Sequence, residues 1–220
     1  MRAFRNQMTR TIGDIYEKYQ IPPWLAEHML RVAAVASVVF DAAKEVSPEL
    51  DGRDDLIAAC LVHDLGNIIK FDFERLPPPD GQTEYWEMIK DGMIERYGRN
   101  EIVATVLMIG EIGIAERVRP VLENTSDHEA ILLLEEGTLL QKIAYYADQR
   151  VSPRGVLPLR DRLRDMRERY SHPDDERTRA LDAATERIEE VLFEGLSLRP
   201  EDITDESVAP MIESLKSFEI

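Results

Sequence analysis

Leu56-Ile57-Ala58-Ala59-Cys60-Leu61-Val62-His63-Asp64-Leu65-Gly66 is the stretch that decides how this chain of 220 residues folds. An unbroken apolar run, Leu56 to Val62, leads into a histidine, an aspartate and, one leucine later, a glycine. At helical spacing His63 falls on the line of Leu56 and Ala59, and Asp64 on the line of Ile57 and Cys60. A titratable pair therefore shares its faces with core residues. Burying a carboxylate without a partner is expensive, and burying one beside a histidine or a metal is not. The spacing predicts a helix from about Asp54 into the His63–Gly66 stretch, with Gly66 ending or loosening it.

Working outward, Pro22-Pro23 suit a helix start, and the helix is expected to run to about Val46, before Ser47-Pro48. On it His28 shares a line with Val32, Val35 and Val39. Downstream, a helix from Gly137 to Val151 carries Asp148 on the line of Leu140, Ala144 and Val151. Between them, Thr83 can cap a helix that Gly98 closes, and Asn100 one that reaches about Ile109. Gly113 to Glu123 reads as a short helix, and Asp127 caps a segment through Leu134. Helices near 158–170, 174–195 and 200–218 complete the chain. Leu76-Pro77-Pro78-Pro79-Asp80-Gly81 is a loop and Ser152-Pro153-Arg154-Gly155 a turn. No run alternates polar with β-branched residues. The expected fold is all-α, with residues 1–172 as one domain and 173–220 as a helical extension packed on it.

Composition narrows the function. The formal net charge is −16, from 27 Lys+Arg against 43 Asp+Glu. That field repels phosphate backbones and argues against nucleic acid as partner. It leaves room for a small anionic substrate held by a metal or a local basic pocket. No stretch approaches the roughly 20 apolar residues of a membrane span. Met1 to Gln7 lack the apolar centre of a signal peptide, and the single cysteine, Cys60, leaves no intrachain disulfide. A cytoplasmic protein is expected.

Each of the four singled-out residues has an ordinary reading by itself. A histidine on an apolar face is usually a satisfied core residue, and an aspartate there a cap or hydrogen-bond acceptor. Together, His28, His63, Asp64 and Asp148 offer two nitrogen and two oxygen ligands from three helices. Such a set suits one divalent ion (Mn, Fe, Co, Ni, Zn or Mg) with open positions for water and substrate.

The order of these residues, His28, then Val62-His63-Asp64-Leu65-Gly66, then Tyr146-Ala147-Asp148-Gln149-Arg150, resembles the H…HD…D signature of the HD-domain superfamily, over about Ile12 to Arg169. The resemblance implies a helical bundle, a metal held by His28, His63, Asp64 and Asp148, and phosphohydrolase activity on a small phosphorylated compound, a nucleotide first of all. Water activated at the metal would attack phosphorus while nearby cations steady the developing charge.

The chain also departs from the pattern. Some members carry Glu or Lys four residues after the doublet histidine, where this chain has Asn67, which can hold water or phosphate but is no base. Asp72 stands at the offset where similar one-metal nucleotidases have an aspartate, and competes with a plain loop carboxylate. Lys70 is a candidate phosphate contact. Two-metal members insert two or more histidines before the final aspartate; here only His128 lies there, so one metal is expected, and His172 reads as an exposed turn residue. Arginines 150, 154, 160, 162, 164, 167 and 169 form the main basic feature. Arg150 and Arg154 are candidates to clamp phosphate, and the later five read as an ion-paired face. Trp24, Tyr85 and Trp86 could stack on a base or wall a pocket, one of Tyr145 and Tyr146 could contact substrate, and Cys60 reads as core. The alternatives are a non-catalytic metal- or nucleotide-binding regulatory module, which Asn67 supports, and an HD-type di-iron oxygenase, which needs more histidines. A homodimer through the C-terminal amphipathic helices is compatible with the pattern.

Overall fold

The structure, a computed structural model, describes residues 10–170 and 174–220. Met1 to Gln7, His172 and the 172/173 boundary therefore lie outside the described residues. Among those described, the chain is built of α-helices joined by loops and short 3₁₀ turns, with one minimal hairpin. The helices are α1 (Ile12–Lys18), α2 (Pro23–Val46), α3 (Arg53–Val62), α4 (Thr83–Tyr97), α5 (Glu101–Ile112), α6 (Ala115–Leu122), α7 (Ala130–Glu136), α8 (Leu139–Arg150), α9 (Leu159–Tyr170), α10 (Glu176–Phe193) and α11 (Asp205–Lys216). The fold is all-α, as the apolar periodicity requires.

α2 is the central post. It starts on Pro23, whose missing N–H costs nothing at the first helical position, and buries twelve of its residues. Packing against α3, α8 and α11 covers it on several sides, which is why its Val32–Phe40 segment is apolar nearly all round. α8 starts with a capping box, in which the Thr138 hydroxyl accepts from the Gln141 N–H and the Gln141 amide oxygen from the Thr138 N–H. Asn100 caps α5 through the Val103 N–H.

Several boundaries differ from expectation for local reasons. α3 ends at Val62, and His63 to Gly66 form a turn that leads into a 3₁₀ turn, Asn67–Lys70. Gly66 is not a left-handed stop, since its φ is −86°. It is glycine because a Cβ there would run into the Glu101 carbonyl oxygen and Ala104 of α5. The Gly66 N–H donates to the buried Thr105 hydroxyl at 2.9 Å, fixing the turn to α5. Thr83 is the first helical residue of α4 and Gln82 its N-cap, so Thr83 does not cap. Ser126, not Asp127, opens the segment before α7, its hydroxyl and N–H both bonded to Glu129. The turn at Ser152–Gly155 closes an antiparallel pair, β1 (Val151–Ser152) and β2 (Gly155–Val156). Two residues per strand are too few to show alternation in sequence. Gly155 has φ +117° and a Cβ there would meet the Asp205 carboxylate, which itself accepts from the Val156 N–H at 3.1 Å.

The C-terminal helices lie on the same core. α10 packs against α7 and α8, and α11 against α2, with Ile188, Leu192 and Val208 buried.

Candidate metal centre

Three helices deliver the chemistry to one place. α2 contributes His28 from its second turn, the C-terminal end of α3 contributes His63 and Asp64, and the last turn of α8 contributes Asp148. The ligand atoms of His28, His63 and Asp64 lie within 4.8 Å of one another. His28 Nε2 stands 3.0 Å from Asp148 Oδ1 and 3.7 Å from Asp64 Oδ2. His63 Nε2 stands 3.5 Å and 3.7 Å from the same two oxygens.

The orientation of His63 is decided by backbone. Its Nδ1 lies 2.7 Å from the Cys60 carbonyl oxygen, one helical turn earlier. A carbonyl can only accept, so Nδ1 carries a proton in either charge state, and Nε2 is the ring atom left for the cluster to protonate or ligate. That Nε2 is buried and makes no hydrogen bond of good geometry, its nearest oxygen being Asp148 Oδ1 at 3.5 Å. An unsatisfied buried ring nitrogen facing two carboxylates and a second imidazole is the signature of a ligand set waiting for a cation. The residues present fit a divalent metal on this observation.

The charges agree. Burial pulls the His63 pKa down, but the Asp64 charge, then the Asp148 hydrogen bond and charge, outweigh it and push it up from 6.5 to about 9. Burial works against the charged form of Asp148, while hydrogen bonds from His28 and His63 hold its carboxyl well below the ordinary value of 3.8. In the metal-free protein a proton thus sits where a cation belongs. The stabilisation from His63 is fully present below pH 6.5 and is lost as pH rises through about 9. That from Asp148 is present above 3.8 and is lost as pH falls through its lower folded value. Metal and proton compete for Nε2. Calorimetry of metal binding near pH 7, in buffers of different ionisation enthalpy, should show release of about one proton per metal, shrinking above pH 9 where His63 is already neutral. No buffer dependence at pH 7 would contradict a protonated His63.

The remaining predicted residues divide. Asn67 is buried at the start of the 3₁₀ turn, three residues beyond Asp64, and its N–H donates to the Asp64 carbonyl at 3.0 Å. Lys70 is exposed at the end of that turn. Asp72 is exposed, and its Oδ1 accepts from the Glu74 and Arg75 N–H groups, both at 3.1 Å, so it caps the next turn. Arg154 is exposed at the hairpin tip. His128 is exposed in the turn Asp127–Glu129 and does not join the cluster.

Arg150 requires correction as a phosphate clamp. It is 1% exposed. Its guanidinium donates to the carbonyls of Leu157, Pro200 and Ile203 and to the Tyr146 hydroxyl, with Glu189 3.8 Å away. The reason is angular: two residues along a helix is about 200° of turn, so Arg150 leaves α8 on the side opposite Asp148. Arg162 is likewise buried, its Nε donating to the Val151 carbonyl at 3.0 Å. Arg160, Arg164, Arg167 and Arg169 pair with Glu186, Asp161, Asp182 and Asp165. Tyr145 and Tyr146 are buried and turned toward α10, with hydroxyl partners Thr185 and Glu189, each at 2.8 Å. Trp24, Trp86 and Tyr85 stack edge to face on one another, with centroids 5.1 Å and 4.8 Å apart. Cys60 is fully buried and burial pushes its thiol pKa up, so it is core.

Sequence reasoning missed Thr105 and the Cys60 carbonyl, which hold the turn that carries His63 and Asp64. Backbone acceptors leave no trace in sequence; a threonine at a buried helical position is the only signal for the other.

The HD domain family model matches residues 25–150. No curated protein and no solved structure matches the chain. The matched segment is more than half of the chain and runs from the first turns of α2 to the last residue of α8, taking in all four clustered side chains, and the chain belongs to the HD domain family.

Proposed function

We propose that this protein is a one-metal phosphohydrolase that releases phosphate from a small phosphorylated molecule, with nucleotides as the substrate class. The observation that carries the reading is the bare, buried His63 Nε2 aimed into a cluster of two imidazoles and two carboxylates. His28, His63, Asp64 and Asp148 would hold a divalent ion, which when bound supplies Lewis acidity and a water whose pKa falls toward about 7. The Cys60 carbonyl keeps His63 in the ligating tautomer. The Gly66–Thr105 bond keeps the His63–Asp64 turn from shifting along α5. Asn67 would hold a water or phosphate oxygen by hydrogen bonds, and Asp72 is the nearest candidate in sequence for the proton. Of the three cations that the sequence offered for the phosphate, Lys70 and Arg154 remain candidates, since Arg150 is fully engaged.

Residues 173–220 belong in this reading to the same unit as residues 1–172, supported by the Arg150 bonds to Pro200 and Ile203. No helix among the described residues is long and apolar enough to cross a membrane. With the single cysteine, that supports a cytoplasmic setting.

The test is metal content per chain, followed by phosphate release from a panel of nucleotides and phosphate esters under Mn, Fe, Co, Ni, Zn or Mg. About one ion per chain, and release from at least one nucleotide, is expected. Asn67 in place of a base favours a second reading, a regulatory module. One ion per chain with tight nucleotide binding and no phosphate release would establish that reading instead. Two irons per chain with dioxygen-dependent turnover would overturn both.

A further inference from the structure

We propose that the outer face of α5 is a self-association surface that pairs two copies of this chain through antiparallel α5 helices. Ile102–Gly110 is nine consecutive residues without a charge in a chain that is 32% charged. The other run of that length, Val32–Phe40, is explained by burial inside the fold, with only Val38 partly open. α5 is different. Ala104, Thr105, Met108 and Ile109 face the core, while Ile102 is 61% exposed, Val103 50%, Val106 54% and Leu107 47%. Gly110 continues the same stripe one turn on, and nothing lies within 4 Å of where its Cβ would be.

The inner face of the helix is thus fully spent on the fold, and the outer face is built like a second inner face. These four side chains and Gly110 present roughly 300–400 Å² of apolar surface, the size of the largest patch on a typical monomer. A specific interface covers about 800 Å² per partner with an apolar centre and a polar rim, so the stripe has the area of such a centre.

Charge selects the occupant and its direction. To a copy of a chain of net charge −16, this stripe offers an approach without like-charge contact at the centre. Its ends are polar and opposite: exposed Arg99 precedes α5, and Glu111, which already accepts from Arg96, Tyr19 and Tyr97, lies near its end. A two-fold axis across the middle of the stripe sets Arg99 of one copy beside the Glu111 end of the other, where the helix dipole also favours a cation. A parallel pairing would set Glu111 against Glu111. The bare Gly110 lets the helices approach closely near each end.

Sedimentation velocity of the full chain across 1–100 µM should show a concentration-dependent dimer. Val106→Glu with Leu107→Glu should make it monomeric, with metal content per chain and thermal midpoint close to wild type. The native thiol, Cys60, is buried, so a Val106→Cys variant reports proximity across the axis: mild oxidation should link two chains. A wild-type monomer at 100 µM overturns the proposal. So does a dimer that survives the glutamate pair, which would place the interface elsewhere, such as the C-terminal helices. None of these readouts depends on phosphatase activity.

Discussion

Asp64→Ala is expected to empty the site and abolish phosphate release. Asp64 supplies an oxygen 3.7 Å from both imidazole Nε2 atoms, and it is the strongest of the groups that raise the His63 pKa. Its loss removes a negative charge from the cluster proposed to hold a dication, and His28, His63 and Asp148 alone make a weaker set. Losing the Lewis acid and its activated water costs at least about 4 kcal/mol of transition-state stabilisation, about a thousandfold in turnover. Elemental analysis and phosphate release should fall together, while the far-ultraviolet circular dichroism stays that of the parent. Release lost with the metal retained would instead assign Asp64 to proton transfer. Release retained would end the case for this cluster as the active centre.

Arg150→Ala is the second large effect, on stability. The side chain is 1% exposed and gathers three carbonyls from two separate segments with the Tyr146 hydroxyl. Truncation leaves those acceptors buried and unpaired and opens a cavity between α8 and the Pro200–Ile203 segment. Removing one side of such a buried polar cluster costs about 3–5 kcal/mol, which for a chain of this size lowers the melting temperature by roughly 10 °C. Arg150→Lys should recover little, because a single ammonium cannot span the same fork of acceptors. Thermal melts with and without metal measure this. An unchanged midpoint with a raised KM would restore Arg150 as a substrate contact.

Arg150 also shows where reading the chain in one dimension fails. Adjacency to Asp148 in sequence suggested adjacency in space, yet helical geometry separates the two. The apolar lines through His28, His63 and Asp148 carried the opposite lesson, because period 3.6 is a statement about faces and therefore about convergence. The helices were legible for the same reason, and their caps where a side chain does the capping, as at Asn100 and Thr138. Legibility failed where the backbone decides. Gly66 is dictated by the close approach of α5, the tautomer of His63 by a carbonyl, and the hairpin at Val151–Val156 by register too short to leave a pattern. The aromatic cluster was ambiguous in sequence because packing on a neighbour and stacking on a base need the same residues.

The ends of α3 and α8 carry a further consequence. Both helices stop at the cluster, at Val62 and Arg150, so two sets of terminal carbonyls add their partial negative charge, about half an elementary charge for each helix, to Asp64 and Asp148. The cavity is therefore electronegative before any ion arrives. Such a field favours cations over a bare phosphate, so an anionic substrate of the class proposed would enter only after the field has been reversed. In the proposed reaction, the direction in which two helices run would set the order of binding, metal first and phosphate second.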